Sequence, residues 1–166
     1  MESQSEIYFF RESGKYGPFS NFYPSKFIEN RIEFNCSEQY FMYYKCLQFD
    51  QLNKPLLEAI LNEKSPTKIK KLGRQVKNYD DKIWNEKRYQ VMCNGLKLKF
   101  TQNQELKELL INTKEKILYE ASPFDKIWGI GYAGKTAINM IDKKKFGKNL
   151  LGSALMEVRE SFLNFI

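Results

Sequence analysis

Glu38 and Lys45 stand seven positions apart in the segment Ser37-Glu38-Gln39-Tyr40-Phe41-Met42-Tyr43-Tyr44-Lys45. On a helix, that spacing points two side chains the same way within about 20° and separates them by about 10 Å along the axis. A carboxylate and an amine so placed flank a ligand rather than touch each other. The same pair also reads as a dipole-compensating surface glutamate and an ordinary lysine. A second group of interest is Asp125 and Trp128 within Ser122-Pro123-Phe124-Asp125-Lys126-Ile127-Trp128-Gly129-Ile130-Gly131. It pairs a carboxylate with an aromatic stacking platform, and Gly129 and Gly131 allow close backbone approach to a ligand. A tight turn with an anchoring core tryptophan accounts for the same string. The spacing is not that of a dinucleotide-binding glycine motif. In Gly17–Pro24, Asn21 offers a side-chain hydrogen bond from a loop held by aromatic residues, or simply builds a turn. Asn149, beside Lys148, marks the start of the last helix, either as an anion site or as a cap alone.

The chemistry open to these residues is bounded by one absence. The chain has 166 residues and no histidine. Imidazole acid–base chemistry, Ser-His or Cys-His nucleophile systems and histidine-ligated metals are therefore excluded. Carboxylates, lysine, tyrosine and cysteine remain. Cys36, Cys46 and Cys93 are odd in number and lack a CxxC spacing, so reduced, buried thiols are expected. The start, Met1 to Glu6, carries acids where a signal peptide carries bases, and no apolar run is long enough to span a bilayer. The expectation is a cytoplasmic protein with no membrane partner.

The formal net charge is +7, and it is uneven. Residues 64–77 hold Lys64, Lys68, Lys70, Lys71, Arg74 and Lys77 with no acid, and Lys143, Lys144, Lys145 and Lys148 form a second cluster. Such patches suit a phosphate-bearing partner, or are solvated faces.

The elements that must position these groups are readable from periodicity and punctuation. Ile7–Phe10 reads as a buried strand and 12–25 as a loop. Phe27–Ile28 and Arg31–Asn35 suggest a hairpin turning at Glu29-Asn30. Helices are expected over about 37–48 with Ser37 as cap, over 52–62, and from Ser65-Pro66 to Gly73. A longer helix opens at Asp80-Asp81, with Trp84, Val91, Met92, Leu96 and Phe100 on its apolar face. Glu105–Asn112 reads as another helix, Lys116–Glu120 as a strand, and Lys135–Lys145 is ambiguous. The last helix starts near Asn149, with Leu151, Ala154, Leu155, Val158, Phe162 and Phe165 as a core stripe. The expectation is a single, helix-dominated α+β domain with a small β-sheet over residues 1–166.

The segments GPFSNF (17–22), FNCSEQYFMYYK (34–45), LGRQV (72–76), WNEKRYQVM (84–92), KF (99–100), EASPFDKIWGIG (120–131) and NLLGSALMEVR (149–159) occur in the order found in one family. By that ordered set the chain resembles the NADAR/YbiA-like family. The resemblance implies a YbiA-like fold and an N-glycosidase. Its substrate would be a phosphorylated ribosyl-amine, either a riboflavin-pathway ribosylamino-pyrimidine phosphate or ADP-ribosylated guanine in nucleic acid. It implies that Glu38 stabilises an oxocarbenium-like centre or activates water, and that Lys45 attacks as an amine or binds phosphate or ribose. Asp125 would orient water or hold ribose hydroxyls. Trp84 and Trp128 would stack on the heterocycle, and Asn21 would hydrogen-bond it. Arg74 would contact phosphate, Gly129 and Gly131 would give backbone access, and Asn149 would bind substrate at its helix start. No metal or other cofactor is implied. Gln39 stands where the family has histidine, and 94–98 depart from the family pattern. A structural role is expected for Gln39. The competing reading is a non-catalytic ADP-ribose or nucleic-acid binding module using the 64–77 patch. A scaffold with a relict pocket is weaker.

Overall fold

The computed structural model describes residues 1–164. Its elements run β1 (Glu6–Phe9), β2 (Phe27–Glu29), β3 (Ile32–Phe34), α1 (Ser37–Phe49), α2 (Lys54–Asn62), α3 (Pro66–Gly73), α4 (Asp81–Thr101), α5 (Gln104–Ile111), β4 (Ile117–Glu120), α6 (Gly134–Ala137) and α7 (Leu150–Leu163). Short 3-10 turns occupy Gly17–Phe19 and Lys143–Lys145. The architecture is α+β, as expected, with the strands forming two separate two-stranded ladders among the described residues. The chain divides into two compact units, one of residues 21–104 and the other of residues 1–20 together with those from 105 onward.

In the 21–104 unit, helix starts follow capping chemistry. Asn53, Ser65 and Asp80 each accept a hydrogen bond from a backbone N–H in the first turn of α2, α3 and α4. Ser37 does not act this way. Cys36 holds the cap position of α1 without a side-chain bond, and Ser37 is the first helical residue. The β2–β3 hairpin pairs Phe27 with Phe34 and Glu29 with Ile32. Its turn is therefore Asn30-Arg31, one residue later than expected, and both residues have positive φ (50° and 66°). A two-residue turn with both φ values positive matches the twist of the strands it joins.

α1 is the centre of this unit and packs against α2, α3 and α4. The Phe34 ring meets Tyr40 and Tyr43 edge-on, and Phe27 stacks on Phe34. Ile60, Ile69, Met92, Leu96 and Phe100 are buried from the other helices. Gly95 allows α4 to approach α1, since a Cβ there would lie 2.6 Å from Cδ1 of Tyr40.

In the other unit β1 and β4 pair in parallel, with Ile7 opposite Leu118 and Tyr8 opposite Tyr119. α7 packs on β4 through a face that includes buried Leu151, Ala154, Leu155 and Val158. Phe162 is half-buried, and Phe165 of the expected stripe lies outside the described residues. The ambiguous 135–145 stretch resolves into α6 and the Lys143–Lys145 turn. That turn is tied to β1 by Lys143, whose ammonium donates to both Glu6 oxygens (2.5 Å each) and to the Tyr8 hydroxyl (2.6 Å). All three cysteines are buried and none is joined in a disulfide. No helix of the described residues is long and apolar enough to cross a membrane.

Candidate active site

Glu38 sits in the first turn of α1 and is only 7% exposed. Hydrogen bonds to one loop residue fix that turn. The Glu38 backbone N–H donates to the Asn21 carbonyl at 3.0 Å, and the Ser37 hydroxyl donates to Asn21 Oδ1 at 3.0 Å. The first satisfies an N–H that the helix itself leaves open. The structure thus brings Asn21 and Glu38 together, with Ser37 as the tie.

Gln39 points elsewhere, as neighbouring helix positions must. It is fully buried, and its Nε2 donates to the carbonyls of Ile60 (2.9 Å), Leu61 (3.1 Å) and Glu63 (3.0 Å). Its Oε1 accepts from Asn35 N–H at 2.7 Å. The residue standing in place of the family histidine is therefore a stitch between the end of α2 and the approach to α1.

Lys45 lies two turns along from Glu38. Its Nζ donates to the Gly73 carbonyl at 2.9 Å and lies 4.7 Å from the Tyr79 ring centroid. Burial pushes its ammonium below the usual lysine range; Glu38 pulls it back up, and the Arg74 cation pushes it down again. Glu38 and Lys45 thus share one electrostatic environment, and Arg74 joins it from the end of α3. Arg74 itself is exposed, as are Lys64, Lys68, Lys70, Lys71 and Lys77.

Trp84 belongs to the core. It is 5% exposed, with Phe41 at 5.1 Å and Phe49 at 6.1 Å between ring centroids. The ring expected to stack on a heterocycle is covered by these two phenylalanines.

The remaining candidates belong to the other unit. Asp125 Oδ1 accepts from the backbone N–H of Ile127 (2.8 Å) and of Trp128 (2.9 Å), so this oxygen shapes the turn. Trp128 is half-buried. Gly129 is required by packing, because a Cβ would lie 2.9 Å from the Glu120 carbonyl oxygen and 3.0 Å from that of Asp125. Gly131 has φ +76°, a conformation that favours glycine. Asn149 precedes α7 at φ 52° and makes no cap bond to it. Its amide is spent on β4 instead: Oδ1 accepts from Glu120 N–H at 3.0 Å and Nδ2 donates to the Leu118 carbonyl at 2.9 Å.

Lys99, part of the family-like KF pair (99–100), carries no expected role from the sequence. It is fully buried on α4, with its Nζ 5.3 Å from the Phe100 ring centroid and 5.9 Å from that of Tyr23. Burial pulls its pKa down to about 7, and Cys36 opposes that shift. Burial likewise pushes the Cys36 thiol up to about 11. The signal was available, since Lys99 stands three residues after Leu96 and beside Phe100 on the apolar face of α4.

The NADAR domain model matches residues 8–163. The chain belongs to the NADAR domain family. It is 40% identical over 147 residues to N-glycosidase R617 of Acanthamoeba polyphaga mimivirus, covering 86% of this chain and 85% of that protein. It is 34% identical over 154 residues to N-glycosidase YbiA of Escherichia coli strain K12, covering 93% and 86%. Protein irg-1 of Caenorhabditis elegans is 40% identical over 159 residues, covering 86% and 74%. The NMR structure of the E. coli protein YbiA superposes with a TM-score of 0.78 at 32% identity, over 99% of this chain and 89% of that one. The fold is YbiA-like.

Proposed function

We propose that the protein is an N-glycosidase that hydrolyses the bond between a phosphorylated ribose and the nitrogen of an amino-heterocycle. The observation that carries this reading is Glu38, a buried carboxylate on a helical turn fixed by Asn21. In the reaction the bond from C1′ to nitrogen breaks and its electron pair leaves with the heterocycle. Positive charge develops over C1′ and the ring oxygen. A fixed, poorly solvated carboxylate stabilises such charge more strongly than water does. Water then adds to C1′, and its proton passes to the departing nitrogen by way of Glu38. The products are the free sugar phosphate and the free amine.

Lys45 and Arg74 supply two neighbouring cations, which suits binding of the substrate's phosphate. Lys45 already donates to the Gly73 carbonyl, which favours this role over attack on the sugar. Names of relatives that are N-glycosidases support the reaction class.

The test is incubation of the purified protein with ribosylamino-pyrimidine phosphates and, separately, with DNA carrying ADP-ribosylated guanine, with products resolved by chromatography. Release from one of them is expected, with Glu38→Gln slower by about a hundredfold or more. No product from either substrate, or undiminished release by Glu38→Gln, rejects the reading.

A further inference from the structure

Two loops of the unit outside residues 21–104 lie side by side. Lys148 N–H donates to the Lys126 carbonyl at 2.8 Å, Gly147 N–H to Ile130 at 2.8 Å, and Leu150 N–H to Ile127 at 3.1 Å. Gly147 makes the approach possible, because a Cβ there would fall on the Lys126 carbonyl oxygen. The 122–128 loop is also held from within, by Asp125 and by Ser122 Oγ, which accepts from Phe124 N–H at 3.3 Å.

What this built platform displays is unusual. Phe124 is 84% exposed and Ile127 41% exposed. Lys126 and Lys148 are exposed beside them on the two bonded loops, Lys144 and Lys145 are exposed on the turn that leads into the second loop, and none of the four makes an ion pair among the described residues. The two acids of the segment are engaged in turns: Asp125 as above, and Asp142, whose Oδ1 accepts from Lys144 N–H at 3.1 Å. Lys143 is drawn away to Glu6. An exposed ring on a fixed loop, among lysines whose charge is not neutralised, matches what a single strand of nucleic acid presents: flat bases beside regularly spaced phosphates. A run of Asp and Glu alone would satisfy the lysines and leave the ring without a partner.

We propose that the surface formed by Phe124, Lys126, Lys144, Lys145 and Lys148 is a docking surface for single-stranded nucleic acid. A base stacks on Phe124, and the lysines meet the backbone phosphates. The proposal deepens the glycosidase reading where the substrate is DNA and rests on that reading only there, since docking itself requires no turnover.

The experiment is fluorescence anisotropy of the full-length protein with a labelled oligothymidylate of about fifteen nucleotides, across a series of salt concentrations. Saturable binding is expected, with log affinity falling by about 2 to 3 per decade of salt, as for three or four neutralised phosphates on a single strand. Phe124→Ala is expected to weaken binding about tenfold without changing the salt slope. Phe124→Trp should restore affinity, and the double change Lys126→Glu with Lys148→Glu should lower the slope by about 1 to 2. All replaced side chains are exposed, and circular dichroism verifies that each variant keeps its fold. Three results overturn the proposal. One is no binding at low salt, and the second is wild-type affinity in Phe124→Ala. The third is loss of binding on reversing Lys68, Lys70 and Lys71 of α3 while the loop variants bind normally.

Discussion

The Ser37 hydroxyl holds the Asn21 carboxamide oxygen at 3.0 Å, and the next residue, Glu38, takes the Asn21 carbonyl on its own N–H. The loop is therefore fastened to α1 at the turn that carries the proposed catalytic carboxylate. Ser37→Ala removes the side-chain fastening and leaves the Glu38 N–H bond. The expected loss of stability is about 1 kcal/mol, seen as a lower urea midpoint, and turnover should fall severalfold because Asn21 loosens. Full activity in Ser37→Ala would show that the tie has no bearing on the site.

Lys45 separates two roles by kinetics. If it binds phosphate, Lys45→Gln raises KM by about tenfold and leaves kcat within a few-fold, since roughly 1.4 kcal/mol of ground-state binding is lost. If it attacks the sugar, kcat collapses instead. Steady-state kinetics over a range of substrate concentrations distinguishes the two.

Lys99 gives stability a definite pH dependence. Its pKa in the fold is about 7, against 10.5 for an ordinary lysine. Below pH 7 both folded and unfolded chains hold the proton, and the fold bears the whole penalty of the buried charge. Between about 7 and 10.5 the unfolded chain binds a proton that the folded chain does not, so stability rises with pH. Lys99→Met keeps the approximate volume and removes the charge. Its denaturation midpoint should exceed that of the wild type most at pH 6, with the gap narrowing toward pH 9.5. A gap that is constant across this range contradicts the assignment.

Gly95 is expected to tolerate no side chain. A methyl group would press on Tyr40, whose ring is itself enclosed by Phe27, Phe34 and Tyr44. Gly95→Ala should destabilise the protein by about 1–3 kcal/mol through overpacking, despite alanine's better helix propensity. Thermal unfolding followed by circular dichroism measures it.

Asn149 is expected to act through the fold. Asn149→Ala leaves Glu120 N–H and the Leu118 carbonyl without their side-chain partner, which should lower stability by about 1–3 kcal/mol. A drop in substrate affinity with an unchanged melting temperature would assign it to binding instead.

Most helices were legible because their punctuation is local. Ser65-Pro66 and Asp80-Asp81 form caps with their own first turns. Ser37 looked like the same signal and is not one, since its hydroxyl is drawn to Asn21, sixteen residues back. The hairpin turns one residue later than its sequence suggests, because nothing around Asn30 says which neighbour shares its left-handed conformation. Asn149 misled similarly: its position before a helix is a capping signal, yet its partners lie on β4. At the site, the Glu38–Lys45 spacing was visible because α1 is regular. The depth of Lys99 is signalled only by its place on the apolar face of α4, against the rule that assigns a lysine to the surface. For Ser37 and Asn149 the cause is the same, a polar side chain whose partner is distant in sequence.

The pairing of Ile7 with Leu118 joins residues more than a hundred positions apart, and the unit of residues 21–104 intervenes in the sequence. As the chain leaves the ribosome, β1 emerges first and its neighbour in the ladder emerges after the intervening unit has been made. Synthesis at about 5–20 residues per second leaves that strand without its ladder for several seconds or more. Ile7, Tyr8 and Phe9, buried in the finished protein, are then an apolar, unpaired edge. The nascent chain thus has a built-in interval of aggregation risk, one that a fold with sequential strand pairing would not have.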